Sequence, residues 1–215
     1  MTPLEVITAA RTAIQDKRVA YRFSDPDMLG FVNQTLQRMS ILRPDLFAVI
    51  LEHELTPNQV LQSCPADSMR LVEVFQVVNG NAITEVQRDM FDQSYPGWVA
   101  EPAGDPVNFM RHVRNPNKFF VYPRPATCVK VLMEYIQAPP AYALEEVIQV
   151  LPPGYFPVLV DGTVYVAESI DNEHVNSGRA KLAQDMFMQQ LQVGLSGRMV
   201  TDVESSGLND KQKVM

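Results

Sequence analysis

Cysteine, histidine and tryptophan are scarce in this chain of 215 residues, which has two, three and one of them. The two cysteines, Cys64 and Cys128, form no C-x-x-C pair, which removes the redox and zinc motifs built on that spacing. Each lies in an apolar, strand-like stretch and is read as a small buried hydrophobe in a reduced protein, with a Cys64–Cys128 disulfide as the alternative. None of His53, His112 and His174 stands at metal-ligand spacing from another histidine, cysteine or carboxylate. His53, between Glu52 and Glu54, and His112, between Arg111 and Val113, are expected to face water or a partner, and His174 to lie on a helix surface. No metal or other cofactor is expected. No G-x-S-x-G elbow, P-loop or G-x-G-x-x-G occurs. The adjacent Glu145 and Glu146 diverge rather than converge, and Asp25 and Asp27 serve a helix cap. The one enzymatic or ligand-binding alternative left is a site assembled from carboxylates of distant segments.

Positive charge is also short. There are 18 Lys and Arg against 25 Asp and Glu, a net charge of −7. Affinity for nucleic acid comes largely from Lys and Arg, so gripping phosphates is an improbable main task, whereas letting DNA slide past is compatible with this balance. The N-terminus has no basic, apolar leader pattern and no apolar run is long enough to span a bilayer, so a soluble protein made in the cytoplasm, with no membrane partner, is expected.

What is present is ordinary globular material, 46% hydrophobic and 20% charged, sufficient for one large or two small domains. Thr2-Pro3-Leu4-Glu5 is a capping box with proline at the first helical position, and Ile7, Ala10 and Ile14 share the face behind it, predicting a helix to about Lys17. Ser24-Asp25-Pro26-Asp27 starts a second helix, with Leu29, Val32, Leu36 and Met39 along it, ending near Leu42 because Pro44 disfavours helix in the residue before it. The period then shortens. Phe47–Leu55 and Val60–Cys64 read as a hairpin around Thr56-Pro57-Asn58, and Met69–Val78 as a third strand before the Asn79-Gly80-Asn81 turn. Thr84–Gln93 reads as a short helix capped by Thr84 and closed by Tyr95-Pro96-Gly97-Trp98. Phe109–Arg114 and Lys118–Tyr122 read as a second hairpin, and Thr127–Gln137 as the longest strand. After Pro152-Pro153-Gly154 the helical period returns over Tyr155–Ile170, where Gly162 suggests close packing. A last helix, capped by Asp171 or Asn172, places Val175, Leu182, Met186 and Leu191 on one face with Ala183 and Phe187 beside it, and ends at Gly194.

The expected class is therefore α+β. Residues 1–46 and 152–195 should form a helical bundle, residues 47–151 an inserted antiparallel β domain of five or six strands, and residues 196–215 a flexible tail. Three features stand out for binding. Asn115–Pro125 reads as turn, short strand and stop, and Phe119, Phe120, Val121 and Tyr122 make both faces of that strand apolar, so each must be covered, either by this chain or by a neighbour. Trp98 and Tyr95, with Phe91, form an aromatic cluster that is either core packing or an interface anchor. Arg111, Arg114, Lys118 and Arg124 gather around the second hairpin, either as a solvated edge that discourages strand pairing or as a patch for an acidic neighbour. Together with Phe120, Tyr122 and the tail residues Arg198, Met199 and Val200, these make up the candidate interface.

In their order these patterns resemble the podophage-like head-to-tail adaptor, or connector, proteins of tailed bacteriophages. The resemblance lies in Leu42-Arg43-Pro44-Asp45-Leu46-Phe47, in Leu61–Leu71 with its proline-containing turn, in Phe91–Trp98 and in Asn115–Pro125. It covers about Leu4 to Leu195. It implies a non-catalytic structural protein of the virion neck, assembled in the host cytoplasm. It also implies a ring of copies, twelvefold in such proteins, between the portal protein and a tail tube or nozzle protein, through which DNA passes without specific binding. A tail-completion or tail-tube subunit is the alternative within the same class.

Overall fold

A computed structural model of the chain describes residues 1–16, 21–170 and 178–192. The expectations that fall on Lys17, Asp171, Asn172, His174, Val175, Gly194, Arg198, Met199, Val200 and the tail 196–215 lie outside the described residues. The fold is α+β, and its contacts divide it into two units. One takes Met1–Arg43 and the described residues from Pro139 onward; the other is Pro44–Ala138.

In the first unit the local signals act as the sequence suggests. Helix α1 (Pro3–Ala13) starts on a complete capping box, in which the Thr2 hydroxyl accepts from the Glu5 amide and the Glu5 carboxylate accepts from the Thr2 amide at 2.8 Å. It stops short of the expected end because Gln15 turns left-handed, at φ 62°, and the Asp16 amide reaches back to the Arg11 carbonyl at 2.9 Å, closing a Schellman-type cap. Helix α2 (Asp25–Leu42) has its own box, Ser24 with Asp27, and ends before Pro44. Helix α4 (Phe156–Glu168) carries buried side chains around most of its circumference, and both α1 and α2 pack on it. Gly162 is the point of closest approach. A Cβ built there would stand 2.4 Å from the Thr35 Cγ2 of α2 and 2.8 Å from the Phe187 ring of the next helix, α5 (178–192).

The face that α5 buries differs from the expected one. Ala183, Phe187 and Leu191 are buried, whereas Leu182 and Met186 are 60% and 41% exposed. Phe187 sets the buried face, its ring packed against α4 at Gly162, where a side chain on α4 would collide with it. Arg43 is buried and donates to the Leu191 carbonyl at 2.5 Å, satisfying an acceptor in the last turn of α5. Glu168, fully buried at the end of α4, pairs with Arg22 at 3.2 Å and Arg179 at 3.4 Å. Residues 139–151 join this unit through main-chain bonds from Leu4 to Leu144 and from Ile148 to Met1, and through the Asn33 amide, which both accepts from and donates to Tyr142.

The second unit is two sheets sharing one core. The first sheet has the order β1-β7-β3, from β1 (Ala48–Glu54), β7 (Lys130–Gln137) and β3 (Ser68–Val77). The second has the order β2-β6-β5-β4, from β2 (Leu61–Ser63), β6 (Lys118–Tyr122), β5 (Asn108–Arg111) and β4 (Thr84–Glu85). Leu71, Val74, Val131 and Met133 from the first meet Phe109, Phe119 and Val121 from the second. All pairings are antiparallel except that of β4 with β5. Strand β3 advances along β7 through three register shifts, so that its ten residues run beside seven of β7, Val131–Gln137. Asp67, just before it, accepts from the Gln137 amide at 2.7 Å and the Tyr135 hydroxyl at 3.2 Å, and its carbonyl accepts from Ala138. Burial and then the Asp67 carboxylate push the Tyr135 phenol up to about 12.

Five sequence expectations are corrected here. β1 and β2 do not form a hairpin, since β1 pairs with β7 and β2 with β6. Gln62, buried in the middle of β2, accepts from the Thr56 amide at 2.7 Å and donates to the Thr56 and Gln59 carbonyls, so the connection folds around this side chain instead of closing a ladder between β1 and β2. Thr84 is strand rather than helix cap, and the short helix α3 runs over Arg88–Ser94. Among the described residues there are seven strands where five or six were expected, because Thr84–Glu85 pairs with β5 as a strand of its own, and β3, not β7, is the longest. Cys64 is buried but Cys128 is exposed, and both are free.

Candidate functional site

The strand that sequence marked as apolar on both faces is covered on both within its own unit. Phe119 and Val121 are fully buried in the inter-sheet core. Tyr122, on the opposite face, meets Phe91, Tyr95 and Trp98 at ring-centroid distances of 5.1, 6.0 and 6.1 Å. These rings come from α3 and the turn after it, so the helix lies over β6 and seals it. The edge-to-face geometry brings positive ring edges to negative ring faces. Trp98 is 3% exposed and its indole N–H donates to Asp92 at 2.6 Å. Of the two readings of this cluster, packing accounts for Trp98, while Tyr95 stays part-exposed. The Tyr95 hydroxyl bonds the Glu101 carboxylate, and that bond pushes the phenol up to about 12.

Phe120 shares the outer face with Tyr122. The Arg88 guanidinium stands 4.3 Å from its ring centroid, and the His112 ring stacks on it at 5.7 Å. His112 also caps the hairpin turn. Its Nδ1 accepts from the amides of Arg114 and Asn115 at 3.2 and 3.0 Å, which places the ring proton of the neutral form on Nε2. Asn117 ties the turn to β3 by donating to the Ser68 carbonyl at 2.7 Å. At the tip stands Val113, 90% exposed.

The basic residues divide. The Arg111 guanidinium binds Glu85 at 2.6 and 3.0 Å and donates to the carbonyls of Leu71, at 2.9 Å, and Val72. It clamps β5 to the irregular edge of β3, and its charge is met inside the unit. Arg114 is exposed at the tip, Lys118 is half-buried at the start of β6, and Arg124 is half-buried with an enclosed Nε that has no hydrogen-bond partner among the described residues. Sequence reasoning missed Glu85, Arg88 and Val113. The first two sit in a stretch that reads as helix, and a lone valine carries no signal by itself.

No group of three or more His, Cys, Asp or Glu able to hold a metal ion occurs among the described residues, and no described helix is long and apolar enough to cross a membrane. Burial pushes the Cys64 thiol up to about 11, so it stays protonated and unreactive at neutral pH. His53 Nε2 lies 2.9 Å from the Ser63 carbonyl and is held there. Compared with known families, the chain matches the model described as SU10 adaptor protein over residues 1–209. No curated protein matches it.

Proposed function

The chain belongs to the SU10 adaptor protein family, and from that premise we propose that it is a structural subunit of a phage neck, set between the portal and the tail. The match over nearly the whole chain carries this reading, and the ordered resemblance of the sequence to head-to-tail adaptors agrees with it. Copies of the chain form a closed ring, twelvefold as in such adaptors. One face docks on the portal protein, the other receives a tail tube or nozzle protein, and DNA passes along the axis without specific binding. Adjacent copies in a ring meet through two different surfaces, related by a rotation that closes. On the β unit, Val113 and Arg114 at the hairpin tip, with Lys118, Arg124 and the part-exposed edges of Phe120, Tyr122 and Tyr95 behind them, are the residues proposed to face a neighbour; Trp98, buried in packing, is left out of that surface. An acidic chain, at −7, suits a channel that must not retain DNA.

The test is reconstitution. The purified chain, mixed with portal and tail proteins of the same phage, is expected to join a ring-shaped particle visible by electron microscopy. Failure to bind either protein overturns the reading, and self-assembly into open tubes would point to a tail-tube subunit instead.

A further inference from the structure

The two sheets present four outer strands, and three of them offer little to pair with. β2 and β4 are three and two residues long. The outer side of β3 is taken up by its own surroundings, with the Leu71 amide bonded to the Pro116 carbonyl and the Phe75 carbonyl accepting from the Ile83 amide. β1 is different. It is seven residues long, unbroken by proline or bulge, and paired with β7 alone.

The phase of the ladder fixes which groups it leaves open. Leu55 donates to the Val129 carbonyl at 2.8 Å, in the same register as the strand pairs. Odd-numbered residues therefore bond β7, and the even ones, Ile50 and Glu52 among them, turn N–H and C=O outward. No hydrogen bond occupies those outward groups among the described residues. Ile50 is 58% exposed, and Glu52 and Glu54 are exposed further along the same row. Lys130 of β7 stands 3.8 Å from Glu52 in an exposed ion pair and opposite Glu54, while Glu134 stands opposite Ile50, so three carboxylates outnumber one ammonium on this face and its balance is negative.

We propose that the β1 edge is a docking site for an extended segment of another protein, added as an outer strand, with lysine or arginine at alternate positions. Main-chain bonds to Ile50 and Glu52 would supply affinity, as in other strand additions. The charges choose the occupant. Two fully overlapped copies of β1 would make the Glu52 side chains diagonal neighbours across the seam and add no cation to either strand, so self-pairing is disfavoured. A basic strand in the same place meets carboxylates across the pair. The inference does not depend on the neck assignment.

The test uses the full chain and two synthetic ten-residue peptides, one alternating lysine with valine and the other glutamate with valine. The lysine peptide is expected to slow hydrogen exchange at the Ile50 and Glu52 amides by at least about tenfold, and the glutamate peptide to leave them unchanged. A Glu52→Lys, Glu54→Lys double variant should reverse this preference. Ile50→Pro should abolish peptide binding while leaving the circular dichroism spectrum intact, because the missing N–H points away from β7. Equal protection by both peptides, binding retained by Ile50→Pro, or amides already protected in the free chain would each overturn the proposal. If Ile50→Pro does not fold, the charge-reversed variant still decides.

Discussion

At the scale of single residues, the tightest constraint in the helical unit is a missing atom. Gly162 lets α4 approach α2 and α5 to a distance at which a methyl group would overlap Thr35 and Phe187. Gly162→Ala should lose about 1–3 kcal/mol in urea unfolding, because overpacking outweighs the roughly 1 kcal/mol gained in helix propensity. Gly30, in α2, has nothing within 4 Å of its would-be Cβ. Gly30→Ala should stabilise by up to about 1 kcal/mol, and equal effects at the two sites would refute the packing account. The role of Gly162 was legible in sequence, since a glycine inside an apolar helix asks for a packing reason. That of Glu168 was not. A glutamate at a helix end reads as surface, and only the fold brings Arg22 and Arg179 to it. Such a carboxylate is not tolerated alone, since removing one member of a buried ionic group typically costs about 3–5 kcal/mol.

At the scale of elements, helix α3 depends on a strand it does not touch in sequence. Its seven residues bury no side chain completely, and a helix that short does not persist in water unaided. The rings of Phe91, Tyr95 and Trp98 closing on Tyr122 hold it. Tyr122→Ala should cost about 2 kcal/mol or more and raise hydrogen exchange across residues 88–100, while the Phe119 and Val121 amides keep their protection. Unchanged exchange in α3 would mean that something else holds it. Caps and turns were readable because they are local: Thr2 with Glu5, Ser24 with Asp27, and Pro44 just past the end of α2 each act within a few residues. Strand pairing was not. β1 pairs with β7, far along the chain, while the Gln62 side chain occupies the connection to β2, so proximity in sequence favours the wrong partner. The α5 stripe failed for a related reason. Its apolar residues spread over more than one face, and only the hole at Gly162 selects Phe187.

At the scale of the whole molecule, the class α+β and the order of helices, strands and helices followed from the changes in hydrophobic period, while the arrangement of seven strands into two sheets did not. The tail is proposed to act on the portal rather than on the fold. Removing residues 196–215 should leave the thermal midpoint of the free chain unchanged and weaken its binding to the portal protein; a lowered midpoint would assign the tail a structural task instead. β3 has a consequence of its own for how the molecule finds its form. Its residues run Ser-Met-Arg, Leu-Val-Glu, Val-Phe-Gln, with the first of each triplet buried and the third exposed. Such a strand is a screw thread, and advanced by one triplet it offers β7 nearly the same surface. Nothing in the thread itself says where to stop. Asp67, held by Tyr135, Gln137 and Ala138, is one locking pin, and the bonds of Asn117 to Ser68 and of Arg111 to Leu71 and Val72 are the others.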